Sequence, residues 1–327
     1  MADIVIIFKT GNPVPMVLTQ EHLERIQNTA TGNVIWCKTE QEALEKGADG
    51  EILFIWGGNE SPTYKMPVEY CKKSKKLKMI YSFSAGVDAL LASEISSLPI
   101  VITNAKGVMA RTMAVTAMGY IISFLRHFPE MHYAQQRHEW SHAFDGPPME
   151  PEGKTLVIVG AGTIGAEVAR LASFMGMKVI GVKRNACNLP NYDIVYPESE
   201  VKKAMAQGDF VLMLTPLSDK TYHLIDMDKL SAMKKSAYFI NISRGKVVNE
   251  GDLITALQNG IIKGAALDCF ETEPLLESSP LWDMKNVIIT PHFSAPSEKF
   301  MDRAVDVFCE NIKKFQNGEE LVNQVDI

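Results

Sequence analysis

The chain of 327 residues is expected to fold as an α/β protein with two doubly wound parallel-sheet domains. Three observations predict this. Short apolar, β-branched runs alternate with helical polar/apolar patterning from the start of the chain, which argues for parallel sheets flanked by helices. The length exceeds that at which a single hydrophobic core usually stops growing. A glycine-rich turn then joins a strand-like run to a helix-like one near the middle, where a second, cleaner alternation begins.

In the first series, residues 4–8, 34–36, 52–56, 78–83 and 100–102 read as strands and 20–30, 40–46 and 87–95 as helices. A longer helix is expected from Met109 to Phe128, stopped near Pro129, and a polar and aromatic stretch, 130–153, follows it. The second series supplies strands at Thr155–Gly160, Lys178–Val182, Asp209–Leu214, Tyr238–Ile242, Ala265–Phe270 and Val287–Thr290. Six strands separated mostly by helical segments fit a dinucleotide-binding, Rossmann-like sheet. From Ser297 to Gln316 the tail reads as one amphipathic helix, with Phe300, Ala304, Val307, Phe308, Ile312 and Phe315 on its apolar side.

Composition narrows the function classes. A hydrophobic content of 46% can fill sizeable cores, and a net charge of −6 gives no electrostatic case for nucleic acid. The run from Cys71 to Lys78 is lysine-rich and reads as a solvated face before a strand. Cys37, Cys71, Cys187, Cys269 and Cys309 are scattered, odd in number and without a CxxC pair, which suggests reduced thiols in a cytoplasmic protein. The start of the chain runs directly into Ile4–Phe8 with no signal-peptide pattern, and the apolar stretch from Met113 to Leu125 is too short to span a bilayer. No membrane partner is expected.

Gly160-Ala161-Gly162-Thr163-Ile164-Gly165 has the G-x-G-x-x-G spacing between a strand-like and a helix-like run. The first glycine permits the tight turn, the second lets a pyrophosphate approach the backbone, and the third allows close helix–strand packing. The phosphates would meet the exposed N–H groups and positive dipole end of the following helix. An acid that grips the adenosine ribose should end the next strand, but Lys183-Arg184-Asn185 stands there. Arginine can pair with a 2′-phosphate that a carboxylate would repel, so NADP(H) is expected over NAD(H), with NAD still usable.

Arg244, Glu273 and His292 each sit just past a strand-like run. Ligands of parallel α/β sheets bind beyond the carboxyl ends of strands, so a cation, a carboxylate and an imidazole could converge there on one small molecule. His138-Glu139-Trp140-Ser141-His142 also spells H-E-x-x-H, but the segment is polar on all sides and soon reaches Gly146-Pro147-Pro148, so no metal site is expected.

The glycine turn, Asn241–Gly245, Leu267–Pro274 and Thr290–Ala295 together resemble the signatures of the D-isomer-specific 2-hydroxyacid dehydrogenases, in order and at compatible spacing across nearly the whole chain. The resemblance implies an oxidoreductase that interconverts a small 2-keto acid, such as glyoxylate or hydroxypyruvate, and the D-2-hydroxy acid by hydride transfer. Arg244 would bind the substrate's carboxylate and keto oxygen, His292 would be the general acid or base, and Glu273 would orient the imidazole and raise its pKa. Trp56, Gly57, Ser84, Ala85, Gly86 and Val87 would help bind substrate. Thr215, Pro216, Ile242, Ser243, Asp268 and Ser294 would join Arg244, His292 and the glycine turn along the cofactor.

It further implies a discontinuous substrate-binding domain, residues 1–104 with a helix in 294–327 returning to it, a cofactor domain of residues 105–293, and an active-site cleft between them. A homodimer through residues 105–150 is also implied. The family often carries an acid near Thr116, which this chain lacks. A non-enzymatic, dinucleotide-sensing module of the corepressor kind is the alternative reading.

Overall fold

The computed structural model describes residues 2–8, 17–56, 65–142 and 144–325. The chain divides into two compact units, residues 1–109 with 296–327, and residues 110–295.

The first unit starts with β1 (Ile4–Ile7), α1 (Gln20–Thr29), β2 (Val34–Cys37), α2 (Glu40–Glu45) and β3 (Ile52–Ile55). It continues with α3 (Val68–Lys73), β4 (Met79–Ser82), α4 (Asp88–Ala92) and β5 (Val101–Asn104). All strand pairs are parallel, in the order β2-β1-β3-β4-β5. The order reverses beside β1, the mark of a doubly wound sheet. β1, β3 and β4 are buried at every position, which is why they read as continuous apolar runs rather than alternations. Helix α1 is started by a capping box in which Thr19 accepts from the His22 N–H and the His22 ring accepts from the Thr19 N–H.

The second unit holds α5 (Ala110–Leu125), α6 (Phe128–Gln136), β6 (Thr155–Val159), α7 (Thr163–Phe174), β7 (Lys178–Lys183) and β8 (Ile194–Pro197). After these come α8 (Val201–Met205), β9 (Phe210–Met213), α9 (Met227–Leu230), β10 (Tyr238–Asn241), α10 (Glu250–Gln258), β11 (Gly264–Leu267) and β12 (Val287–Ile289). The seven parallel strands run β12-β11-β10-β9-β6-β7-β8. Their order reverses between β6 and β9, directly below the turn that begins at Gly160. Helix α5 packs on one face of this sheet, where Phe124 stacks on Tyr238 at 4.2 Å between ring centroids.

The last helix, α11 (Phe300–Asn317), belongs to the first unit. Phe308 stacks on Tyr81 at 5.0 Å, and the Tyr81 hydroxyl donates to the Ala304 carbonyl at 2.8 Å. Phe300, Ala304, Phe308 and Ile312 are buried, with Val307 and Phe315 at the margin.

Several boundaries differ from expectation for local reasons. Edge strand β8 was not anticipated, because Ile194-Val195-Tyr196 is short and half exposed. Pro129 does more than end a helix. Leu125 closes α5, His127 takes a left-handed φ of 56°, and Pro129 lies in the first turn of α6, where its missing N–H costs nothing. Helix α3 lies partly in the lysine-rich run, three of whose five lysines are paired: Lys73 with Glu69 at 2.6 Å, Lys78 with Glu51 at 2.8 Å, and Lys72 with Glu94. All five cysteines are free thiols. No helix among the described residues is long and apolar enough to cross a membrane.

Candidate active site

Strands β10, β11 and β12 are neighbours in the second sheet, so the loops leaving their carboxyl ends start side by side. Arg244, Glu273 and His292 ride on those three loops. Asn241, the last residue of β10, braces the first of them. Its side-chain carbonyl accepts from the Ser243 N–H at 3.1 Å and the Ser243 hydroxyl at 2.7 Å, and its amide donates to the Arg244 carbonyl at 3.1 Å. Gly245 then passes so close to the next loop that a Cβ there would lie 1.9 Å from the carbonyl carbon and oxygen of Phe270. The Arg244 and Glu273 loops are therefore in backbone contact.

The Nδ1 of His292 meets Glu273 Oε2 at 2.8 Å, while Glu273 Oε1 accepts from the Phe270 N–H at 3.1 Å. The hydrogen bond that His292 donates to Glu273 raises the imidazole pKa, against partial burial, which lowers it. Burial alone would push the Glu273 carboxyl up, but His292, the Phe270 N–H and Arg244 outweigh it, and the carboxyl ends below its ordinary range. Arg244 is close enough for its charge to act on both partners, lowering each pKa. With Nδ1 committed to a carboxylate, Nε2 is the ring nitrogen left to exchange a proton with a ligand. The His292 side chain is 41% exposed.

The backbone of His292 is left-handed, with φ of 53°, a conformation uncommon for a non-glycine residue. The buried Asp268 carboxylate ties together the residues on both sides of it. Oδ1 accepts from the Thr290 hydroxyl at 2.5 Å and the Phe293 N–H at 2.7 Å, and Oδ2 accepts from the Ser294 N–H at 3.0 Å.

The glycine turn stands at the carboxyl end of β6. Gly160 has φ of 109°, and a Cβ on it would lie 2.7 Å from the carbonyl carbon of Leu214, so only glycine fits. Gly162 precedes α7 with open space where its side chain would be, no side-chain cap and no acid in the first turn. An uncapped helix start with room beside it and N–H groups pointing outward fits the pyrophosphate of a nicotinamide dinucleotide. Thr163 is exposed and Ile164 partly buried, while Gly165 is buried. The third glycine admits the hydroxyl of Tyr192, which would lie 2.9 Å from a Cβ there. Lys183 ends β7, and with Arg184 and Asn185 it is exposed. Thr215 donates to the Val159 carbonyl at 3.1 Å and Pro216 is exposed beside it. The Ile242 side chain is in the hydrophobic core, so it can reach a ligand only through its backbone.

In the first unit, the segment after β4 is held by its own serines. The Ser84 hydroxyl lies 2.9 Å from that of Ser82 and donates to the Gly86 carbonyl at 2.7 Å, and Asn104 donates to the Ala85 carbonyl at 2.9 Å. Val87 is buried and precedes α4, and Trp56 lies against Phe83 at 5.0 Å. Gly57 is outside the described residues.

The H-E-x-x-H segment is not helical. Helix α6 ends at Gln136, His138 has φ of 58°, and Glu139 pairs with Arg137 at 2.6 Å. The one-face geometry that a zinc pair needs is therefore missing. Two side chains that pack or bond at the site, Tyr120 and Tyr192, belong to no spacing pattern. Thr290, which bonds both Tyr120 and Asp268, stands in the Thr290–Ala295 block that the resemblance rests on.

A family profile described as D-isomer specific 2-hydroxyacid dehydrogenase, NAD binding domain, matches residues 118–294, more than half of the chain. A glyoxylate/hydroxypyruvate reductase B of Klebsiella pneumoniae is 31% identical over 96% of this chain and 98% of its own. The crystal structure of a D-isomer specific 2-hydroxyacid dehydrogenase family protein from Aeromonas salmonicida covers 99% of both chains at 30% identity, with a TM-score of 0.84. A D-isomer specific 2-hydroxyacid dehydrogenase from Xanthobacter autotrophicus, solved with NADPH and MES, covers 99% of this chain and 98% of its own at 26% identity, with a TM-score of 0.82.

Proposed function

Because the chain belongs to the D-isomer specific 2-hydroxyacid dehydrogenase family, we propose that it is an NADP(H)-preferring reductase of small 2-keto acids with His292 as its general acid. As a member it is an oxidoreductase that uses a nicotinamide dinucleotide. The observation that carries the finer reading is the His292–Glu273 pair at 2.8 Å, with the Arg244 charge acting on both.

In the proposed reaction the bound dinucleotide supplies a hydride to the keto carbon. Arg244 holds the substrate carboxylate and keto oxygen, since a guanidinium is always charged and donates two parallel hydrogen bonds. As the C=O bond becomes C–O⁻, His292 Nε2 releases its proton to that oxygen, and Glu273 stabilises the imidazolium beforehand. In the oxidative direction neutral His292 takes the proton back. Glyoxylate and hydroxypyruvate are the proposed substrates, supported by the name of the Klebsiella relative. The first unit, through Trp56, Gly57 and Ser84–Val87, is the proposed substrate-binding domain. A homodimer through residues 105–150, a segment in which Val115, Phe128, Met131 and Trp140 are exposed, completes the proposal.

A kinetic screen of 2-keto acids against NADPH and NADH tests this reading. Replacing Lys183 and Arg184 with neutral residues is expected to raise the Michaelis constant for NADPH by about tenfold or more while sparing NADH, as loss of charge-assisted bonds to a phosphate should. Equal effects on both dinucleotides would refute the 2′-phosphate grip.

The pH dependence has a definite sign. Reduction requires the imidazolium, so its kcat/KM is expected to be full below the raised His292 pKa and to fall as pH rises through it. Oxidation of the hydroxy acid requires neutral imidazole and should rise through the same midpoint. Measured profiles that slope the same way in both directions would remove His292 from the acid/base role.

A further inference from the structure

We infer that Tyr120, a buried residue of α5, is a positioning residue for His292, acting on its loop through Thr290 and Asp268. The kinetic part of this inference rests on the acid/base reading of His292; the geometric part does not.

The Tyr120 hydroxyl lies 2.6 Å from Thr290 Oγ1, which lies 2.5 Å from Asp268 Oδ1. A carboxylate that already receives two backbone N–H groups can only accept. Thr290 must therefore spend its single O–H on Asp268, and Tyr120 must donate to Thr290. The bonds run one way, from phenol to threonine to carboxylate, and each polarises the next. Burial pushes the Tyr120 phenol up to about 12, so it stays a donor across the working range.

The same helix makes a second tie. Thr116, one helical turn before Tyr120 and so on the same face, shares its one hydroxyl proton between the Ser294 carbonyl and the Thr112 carbonyl of its own helix, each at 3.2 Å. Helix α5 thus grips the loop at Thr290 on one side of His292 and at Ser294 on the other. Between these grips sits the left-handed backbone of His292. The charged groups facing the imidazole are Glu273, Asp268 and Arg244, and its bond to Glu273 depends on where this loop is held. The contacts of Tyr120 and Thr116 span 170 and 178 residues of sequence.

The test uses the full-length chain and the variants Tyr120→Phe, Thr290→Val and Thr290→Ser. The first readout is the His292 imidazole titration followed by NMR without substrate, which does not depend on which keto acid is turned over. For Tyr120→Phe and Thr290→Val the midpoint is expected to drop toward the ordinary histidine range as the Glu273 contact loosens. The turnover number for keto-acid reduction should fall about three- to tenfold, the usual worth of one hydrogen bond. The dissociation constant for NADPH should change less than the turnover number, because the glycine turn is untouched although Asp268 and Ser294 also lie along the proposed cofactor path. Thr290→Ser keeps the hydroxyl and should behave as wild type, and adding Tyr120→Phe to Thr290→Val should cost nothing more.

A Tyr120→Phe protein with wild-type midpoint and turnover, whatever its melting temperature, would overturn the inference and leave Tyr120 a packing residue. If His292→Ala retained turnover, the acid/base reading would fail instead, and the NMR titration would still decide whether Tyr120 positions the ring. Should Tyr120→Phe fail to fold, Thr290→Val carries the same test.

Discussion

Replacing His292 with alanine is expected to lower the turnover number for a 2-keto acid by roughly 10²–10⁴, the contribution of a well-placed general acid. Binding of NADPH should persist. The two effects separate because the phosphates are held by the glycine turn after β6, whereas His292, although it also lies along the proposed cofactor path, follows β12. The alanine variant also leaves Glu273 with a carboxylate that has lost its partner, retaining the Phe270 N–H. Its pKa should therefore rise, since burial is the largest influence on it and the imidazole bond is the main one opposing it. Steady-state kinetics together with dinucleotide titration by fluorescence check this. A His292→Ala enzyme within tenfold of wild-type turnover would show that the proton comes from elsewhere.

Gly245→Ala is expected to be nearly as damaging, although it adds one methyl group and touches no reacting atom. The added Cβ would sit 1.9 Å from the carbonyl carbon and oxygen of Phe270 and 2.5 Å from the Glu271 N–H nitrogen, all backbone atoms. No flexible side chain is available to yield, so the two loops must part by about an ångström, and overpacking of this sort costs about 1–3 kcal/mol. One loop carries Arg244 and the other carries Glu273. Separating them pulls the substrate-binding cation away from the acid/base pair, and a misplacement of about 1 Å can cost about 10²-fold in rate. The expected result is a fall of about that size in kcat/KM for the keto acid, with a lowered melting temperature and NADPH binding retained. Calorimetry and kinetics on the same preparation check it. Wild-type kcat/KM in a Gly245→Ala protein would mean that the loops can separate without disturbing Arg244.

How much of this was legible in the chain depended on how local the physics was. Strands buried on both faces announce themselves as unbroken apolar runs, so β1, β3, β4, β9 and β10 could be read directly. Edge strand β8 could not, because none of its four residues is fully buried and its composition follows suit. The long helix does stop near Pro129, but α6 was not legible, because a proline ends one helix and starts another with equal ease and the left-handed turn at His127 decides which. In the site, Arg244, Glu273 and His292 were visible as polar residues placed just past strands, and the glycine turn by its spacing.

By itself, then, the sequence determined the α/β architecture, the doubly wound sheets and the residue types delivered to the strand ends. Those features follow from backbone geometry and hydrophobic patterning over a few residues at a time. Tertiary structure alone decided the contacts. It set Glu273 2.8 Å from His292, tied both ends of the His292 loop to α5, and pressed Gly245 against the Phe270 backbone. Such contacts arise from the order in which strands pair, which joins residues far apart in the chain and leaves no periodic trace in it.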